Sequence, residues 1–372
     1  MTRSVRRGFA AGLAVLALAS LAGAGDIRFL VKDLYPIASV TGNEAALAAK
    51  IAAFLPKSLA AEIDGLGGLY ARLGSGGPIV VAALDEFGYV VSGITPDGYL
   101  TLDRVGAPPV PIFDSFLLGH AVVVGTKAGP INGVVAQPAM HLLSRERRDQ
   151  LAKELTLDLI FVDIAARTET EARARGVEIL DPVSFKPVLA ELAGDRLAGP
   201  GLGVKTLGAV LAAAAGLSVQ AADLNKKPAA AQLAWMAQSR FPARGSRSSL
   251  GAARARNRMT GKTAIVLDII PADRGETSPV FGKGVVLVQA KEGPSKIRDF
   301  IESTASEMKI PLQFRVGIES PLLAPFLANG GDAVILALPA RYAGTPAETI
   351  DMKDAGRLVD LLTEVFGKGR FE

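Results

Sequence analysis

The residues with most chemical promise are two adjacent acids, Asp85 and Glu86. They close the apolar run Pro78-Ile79-Val80-Val81-Ala82-Ala83-Leu84. Such a run reads as a buried strand, and open α/β sheets place ligands and catalysts just beyond the carboxyl ends of their strands. Two carboxylates there suit metal coordination, general-base work, or simply a turn that caps the next element. A basic counterpart lies between Ser239 and Lys262, where Arg240, Arg244, Arg247, Arg254, Arg256, Arg258 and Lys262 occur with no acid among them. That stretch reads either as a solvated helix and loop or as an anion site built from planar guanidinium forks. The chain has no cysteine and two histidines, His120 and His141, which excludes thiolate chemistry and a histidine-rich metal site. Ser239, Ser246, Ser248 and Ser249 sit near basic residues but without a histidine, a poor basis for a serine hydrolase. Gly199-x-Gly201-x-Gly203 lacks the dinucleotide spacing, and no phosphate loop is present.

These residues need a scaffold, and the hydrophobic pattern supplies one. From Asp26 to Leu55 two helices are expected about a polar turn at 39–44, with Thr41 or Asn43 as cap of the second and Pro56 as its stop. Between about 87 and 157 short β-prone runs (Tyr89–Val91, Tyr99–Leu102, Ala121–Gly125, Asn132–Val135) are broken by glycine and proline, as in a small barrel or sandwich. Leu157 to Ile164 reads as the strand that returns to the main sheet, and Thr168-Glu169-Thr170-Glu171 opens a helix near a capping box. Helices and strands then alternate: helix 207–215, strands 231–236 and 263–269, helix 295–309, strand 333–338 and helix 352–366. This alternation predicts an α/β sandwich.

The first 24 residues have a different character. Arg3, Arg6 and Arg7 precede an apolar run from Phe9 to Leu21 and the small residues Ala22-Gly23-Ala24, the pattern of a secretory signal peptide. The expectation is an exported protein, periplasmic or secreted, with an uncleaved N-terminal anchor as the alternative. Cleavage after Ala24 leaves 38 basic against 37 acidic residues, so net charge gives no case for nucleic acid.

Several motifs carry a family resemblance. Ala82-Ala83-Leu84-Asp85-Glu86-Phe87-Gly88 resembles the Ala-His-Met-Asp-Glu-Ile-Gly segment of the dinuclear-metal aminopeptidases related to glutamyl aminopeptidase and endoglucanase M, the tetrahedral aminopeptidases. Ile63-Asp64-Gly65-Leu66-Gly67-Gly68-Leu69, Ile265-Val266-Leu267-Asp268, Phe281-Gly282-Lys283-Gly284 and Leu338-Pro339-Ala340-Arg341-Tyr342-Ala343-Gly344-Thr345-Pro346 match further family segments. The resemblance implies a three-layer α/β sandwich with a mixed central sheet. It places the aminopeptidase-like domain at 25–86 and 158–372, and a small β-barrel insert at 87–157 that assembles homo-oligomers. Within the insert, Gly119-His120-Ala121-Val122 and Pro138-Ala139-Met140-His141 match family segments, so both histidines are read as structural.

The resemblance also implies two zinc or cobalt ions and says where their ligands should fall. The histidine of the first motif falls on Ala83. The bridging aspartate falls near Pro200 and Gly201, in Arg196-Leu197-Ala198-Gly199-Pro200-Gly201-Leu202-Gly203, which has no acid. The glutamate pair falls on Ser239, the general-base position, and Arg240. The last histidine falls on Gly344. Asp268 alone keeps a direct ligand, with Asp85 as a supporting residue, and one carboxylate cannot hold two divalent ions. No cofactor is therefore expected. The expected function is that of a non-catalytic binding or assembly module, with Arg240, Arg244 and Arg247 as candidates for binding a peptide or small anion. An active metallo-aminopeptidase or other hydrolase with an altered site, and a regulatory partner of an active paralogue, are the competing readings.

Overall fold

The computed structural model describes residues 27–153, 155–225, 229–245, 247–272, 278–290 and 292–369. The signal-peptide reading of residues 1–24 lies outside them.

The chain enters by two helices, Ile27–Leu34 and Ala45–Phe54, followed by strands β1 (Glu62–Ile63), β2 (Leu69–Leu73) and β3 (Ile79–Ala83). Six strands then close a barrel: β4 (Gly88–Ile94), β5 (Leu100–Val105), β6 (Ala121–Thr126), β7 (Gly129–Ala136), β8 (Phe161–Asp163) and β9 (Pro182–Phe185), in the order β4-β5-β8-β7-β6-β9. The remaining strands are β10 (Ala190–Leu192), β11 (Arg196–Ala198), β12 (Ala231–Met236), β13 (Thr263–Pro271), β14 (Val285–Gln289), β15 (Leu312–Val316), β16 (Asp332–Arg341) and β17 (Thr349–Asp351). They join β1–β3 in one sheet, β1-β2-β12-β3-β13-β16-β17-β11-β10, with β14 and β15 branching from β16. β12, β3, β13 and β16 are parallel, while β2 runs antiparallel to β12 and both β14 and β17 run antiparallel to β16, so the central sheet is mixed.

Two separate cores explain the three layers. Successive residues of a strand face opposite sides. Val80, Ala82, Leu233, Trp235, Ile265 and Leu267 pack with the helices Ile27–Leu34, Ala45–Phe54, Leu202–Asn225, Lys296–Glu307 and Met352–Lys368. Ile79, Val81, Ala234, Met236 and Val266 face the other way, onto Ala252, Ala255 and Phe326. The continuous apolar runs of these strands are thus those of a sheet covered on both faces.

The structure departs from the sequence reading at three places. The helix expected over 207–215 runs from Leu202 to Asn225. It is apolar on nearly all sides, so no polar stripe marks its ends, and it is buried as the core helix against β3, β13 and the last helix. The segment 157–164 does not return to the main sheet. It forms a short turn and then β8, which pairs with β5 and β7 inside the barrel. Without it and β9, β4 and β5 would expose open edges, so the barrel closes only at Phe185. Neither Thr41 nor Asn43 caps the second helix: Glu44 stands at its start, and the Thr41 hydroxyl donates to Asp85 instead. The helix Glu169–Ala174, by contrast, is capped by Thr168, whose Oγ accepts the Glu171 N–H at 3.1 Å.

Trp235 ties the sheet to the core helix. It is fully buried, and its indole N–H donates to the Gly208 carbonyl at 3.0 Å. Trp235→Ala removes a large packed ring and is expected to lower the unfolding free energy by about 3–5 kcal/mol. A urea titration of the folded chain reads this as a lower midpoint; an unchanged midpoint would place the ring outside the stabilising core.

Candidate functional site

The parallel strands bring the chemical residues together. Met236 pairs with Ala83, so β12 and β3 end level, and Leu267 pairs with Ala82, which sets Asp268 beside these ends on β13 before that strand runs on to Pro271. Beyond them lies a cavity of about 540 Å³, roofed by the barrel through Ala107, Pro109, Phe113 and Phe185. Ala83, Pro200, Gly201, Ser239, Arg240, Asp268 and Gly344 all line it, although they come from five separate stretches of sequence. Of the other anion candidates, Arg247 reaches the rim with an 88% exposed side chain, 3.4 Å from Glu319, and Arg244 is exposed and does not line the cavity. Arg254, Arg256 and Arg258 turn away. Arg254 pairs with Asp64, Arg256 donates to the Met259 carbonyl, and Arg258 pairs with Glu62 and lies over the Tyr70 ring. Most of the basic run is therefore a surface helix bound to the first hairpin. His120 packs edge-on against Phe185, His141 is exposed, and neither lines the cavity.

Asp85 sits behind the cavity, fully buried. Its Oδ2 accepts the Thr41 hydroxyl at 3.0 Å and the Arg240 backbone N–H at 2.8 Å, while its carbonyl oxygen accepts Arg240 Nε at 3.1 Å. Arg240 is thus anchored twice on Asp85 with its guanidinium at the cavity wall. Ser239 is buried and donates to the Met236 carbonyl at 3.1 Å, so its hydroxyl is engaged in closing the end of β12.

Two buried ionisable residues at or behind the cavity belong to none of the sequence motifs. Glu348 is buried at the cavity wall, its carboxylate accepting the N–H groups of Gly203 at 2.6 Å and Gly344 at 2.8 Å. Burial pushes its pKa up, the two N–H donors and Arg240 oppose this, and neighbouring Asp268 adds to it. Lys205 is fully buried on the core helix, bonded to the Ser39 hydroxyl and 3.9 Å from Glu86. Burial depresses its pKa and Glu86 supports the charge. In the sequence Lys205 is marked only as a lone ionisable residue in an apolar stretch, and Glu348 only by its place two residues after the motif that ends at Pro346.

Comparison with known proteins now fits this geometry. The description of the M42 glutamyl aminopeptidase family matches residues 67–361. The chain belongs to this family. It is 28% identical over 346 residues to lysyl aminopeptidase of Pyrococcus furiosus, an overlap of 89% of this chain and 94% of that protein. Its fold is that of the TET aminopeptidase from the marine sediment archaeon Thaumarchaeota archaeon SCGC AB-539-E09 (TM-score 0.78, 22% identity, 92% of this chain and 96% of that one). It is also that of the Pyrococcus horikoshii TET1 peptidase, which can assemble into a tetrahedron or a large octahedral shell (TM-score 0.74, 23% identity, 92% and 99%).

The residues that line the cavity do not fit a two-ion centre. Among the described residues no group of three or more His, Asp or Glu is placed to hold an ion. Arg240 brings a cation to the wall where an acid would be needed. Backbone geometry works against side-chain ligands at two further positions. Gly201 has φ +64°, and a Cβ there would meet Glu86 Oε2 at 2.2 Å. Gly344 has φ +72°, and a Cβ would lie 2.7 Å from Pro109 of the barrel.

Asp268 accepts the N–H of Ile269 at 2.8 Å, and burial pushes its pKa to about 6, with that N–H and Arg240 opposing the shift. A carboxyl that holds its proton more tightly when folded contributes stability that is full below its unfolded value of 3.8 and is lost as pH rises through about 6. Asp268→Asn does not titrate. Relative to wild type it is expected to gain up to about 3 kcal/mol between these pH values, with the gain held at higher pH. Denaturation midpoints of both proteins across this range check it; a pH-independent difference would place Asp268 in a solvated environment.

Proposed function

We propose that this M42 family protein is an exported binding and assembly module that does not carry out the metal-dependent peptidase chemistry of its relatives. The observation that carries the reading is Arg240: a guanidinium occupies the cavity wall at the position where the family motif has a metal-binding glutamate, and Asp85 holds it there. A fixed cation disfavours divalent ions and favours a ligand with an anionic group, such as a carboxylate. Assembly into homo-oligomers through the barrel is supported by the tetrahedral and octahedral shells formed by the P. horikoshii protein. Export rests on the pattern of the first 24 residues, and regulation of an active paralogue is the corresponding role in a mixed assembly.

A second reading has its own support. Glu86, Asp268 and Glu348 all line the cavity, and an active hydrolase would have to regroup these carboxylates into a rearranged centre. Elemental analysis for zinc, cobalt and manganese on the chain from Gly25, beside hydrolysis of an aminoacyl substrate panel, separates the two. The binding reading expects metal near zero and no turnover. About two ions per chain with chelator-sensitive turnover would overturn it.

A further inference from the structure

The charges of the cavity do not cancel evenly, and the remainder describes a ligand. Glu348 spends both carboxylate oxygens on the Gly203 and Gly344 N–H groups. Glu86 accepts the Ser39 N–H at 2.8 Å and has buried Lys205 at 3.9 Å. Arg247 at the rim faces Glu319. Two groups are left over. Among the described residues Arg240 forms no ion pair: its Nε is held by the Asp85 carbonyl, and the fork beyond it is uncommitted. Asp268 likewise forms none, and accepts only the N–H of Ile269. Both line the cavity, and the charge of Arg240 is felt at Asp268, but the two are not bridged. Around them the walls are apolar, with Phe113, Phe185, Phe241 and Leu322 among the lining residues. Arg240 and Asp268 are both half-buried, and charges of opposite sign partly withdrawn from water favour a ligand that pairs with each of them.

We propose that the cavity binds a zwitterion with an apolar body, namely a free apolar α-amino acid or a short apolar peptide with both ends free. The ligand's carboxylate takes the terminal nitrogens of Arg240, and its ammonium takes the carboxylate of Asp268. The aromatic walls receive its side chain. Asp85 acts as a positioning residue that fixes Arg240. The inference rests on the binding reading above and narrows its ligand class from any anion to a doubly charged one.

The test uses titration calorimetry with leucine, dileucine and trileucine on the full folded chain. The N-acetyl and C-amide forms of whichever binds follow, and then the Arg240→Gln and Asp268→Asn variants. Both variants keep a hydrogen-bonding side chain, and their thermal midpoints verify folding. Blocking either end of the ligand is expected to weaken binding by about tenfold or more, the scale of a lost charge-assisted hydrogen bond. Arg240→Gln should weaken the free ligand but not its amide, and Asp268→Asn should weaken the free ligand but not its N-acetyl form, as a double-mutant cycle requires. Strongest binding by leucine marks an amino-acid site, and by the longer ligands a peptide site. An N-acetyl form that binds as tightly as the free one would overturn the zwitterion and leave a plain anion site, with the binding reading intact. No binding by any of the three would overturn it also. The metal count, made separately, decides the binding reading itself.

Discussion

The buried carboxylate of Asp85 joins three loops that the chain sequence keeps far apart. It receives the Thr41 hydroxyl from the turn between the first two helices, and the Arg240 N–H from the loop after β12, at the end of its own strand β3. Its other oxygen, Oδ1, is buried without a hydrogen-bond partner among the described residues. In the resembled motif an imidazole stands two residues earlier, and metal-bound histidines commonly give their second N–H to a carboxylate. Ala83 offers no such donor. An ionised group in this setting is costly, and the N–H and O–H donors that converge on it offset that cost only while the loops stay in register. The position of Arg240, and hence the electrostatics of the cavity, depends on this one carboxylate.

A second constraint comes from the barrel. Its loop at Ala107 and Pro109 closes the cavity from above, and Pro109 occupies the space that a side chain at position 344 would need. The barrel is itself held by the buried Asp114, to which Tyr89 and the exposed Arg104 both donate, at 2.9 and 2.8 Å. Insert and sandwich therefore meet at the cavity. The left-handed backbone at Gly201 and Gly344 reflects the same close approach, since a side chain there would collide with Glu86 or Pro109.

Much of the fold was legible in sequence because it is built from strong local patterns. The apolar runs at 79–83, 231–236 and 263–269 read as buried strands and proved to be neighbours in the sheet. The errors share one cause. The segment 157–164 has a strand's pattern, but a pattern does not say which sheet the strand joins, and closure of the barrel decided that. The core helix Leu202–Asn225 lacked a polar face, so its ends were invisible to periodicity.

By itself, the sequence determined the family, the two-sided burial of the central strands, and the residue types at each motif position, because these depend on local composition and spacing. Only the tertiary structure decided what those residues do together. It separated Arg240 from the rest of the basic run, sending Arg254 and Arg258 to Asp64 and Glu62 while Arg240 stayed on Asp85. It also brought Glu348 and Lys205, which belong to no motif, against the cavity and its supporting loops. Pairing of charges depends on distances of a few ångströms and on exclusion of water. Both are set by packing between segments more than a hundred residues apart, and one-dimensional spacing does not encode them.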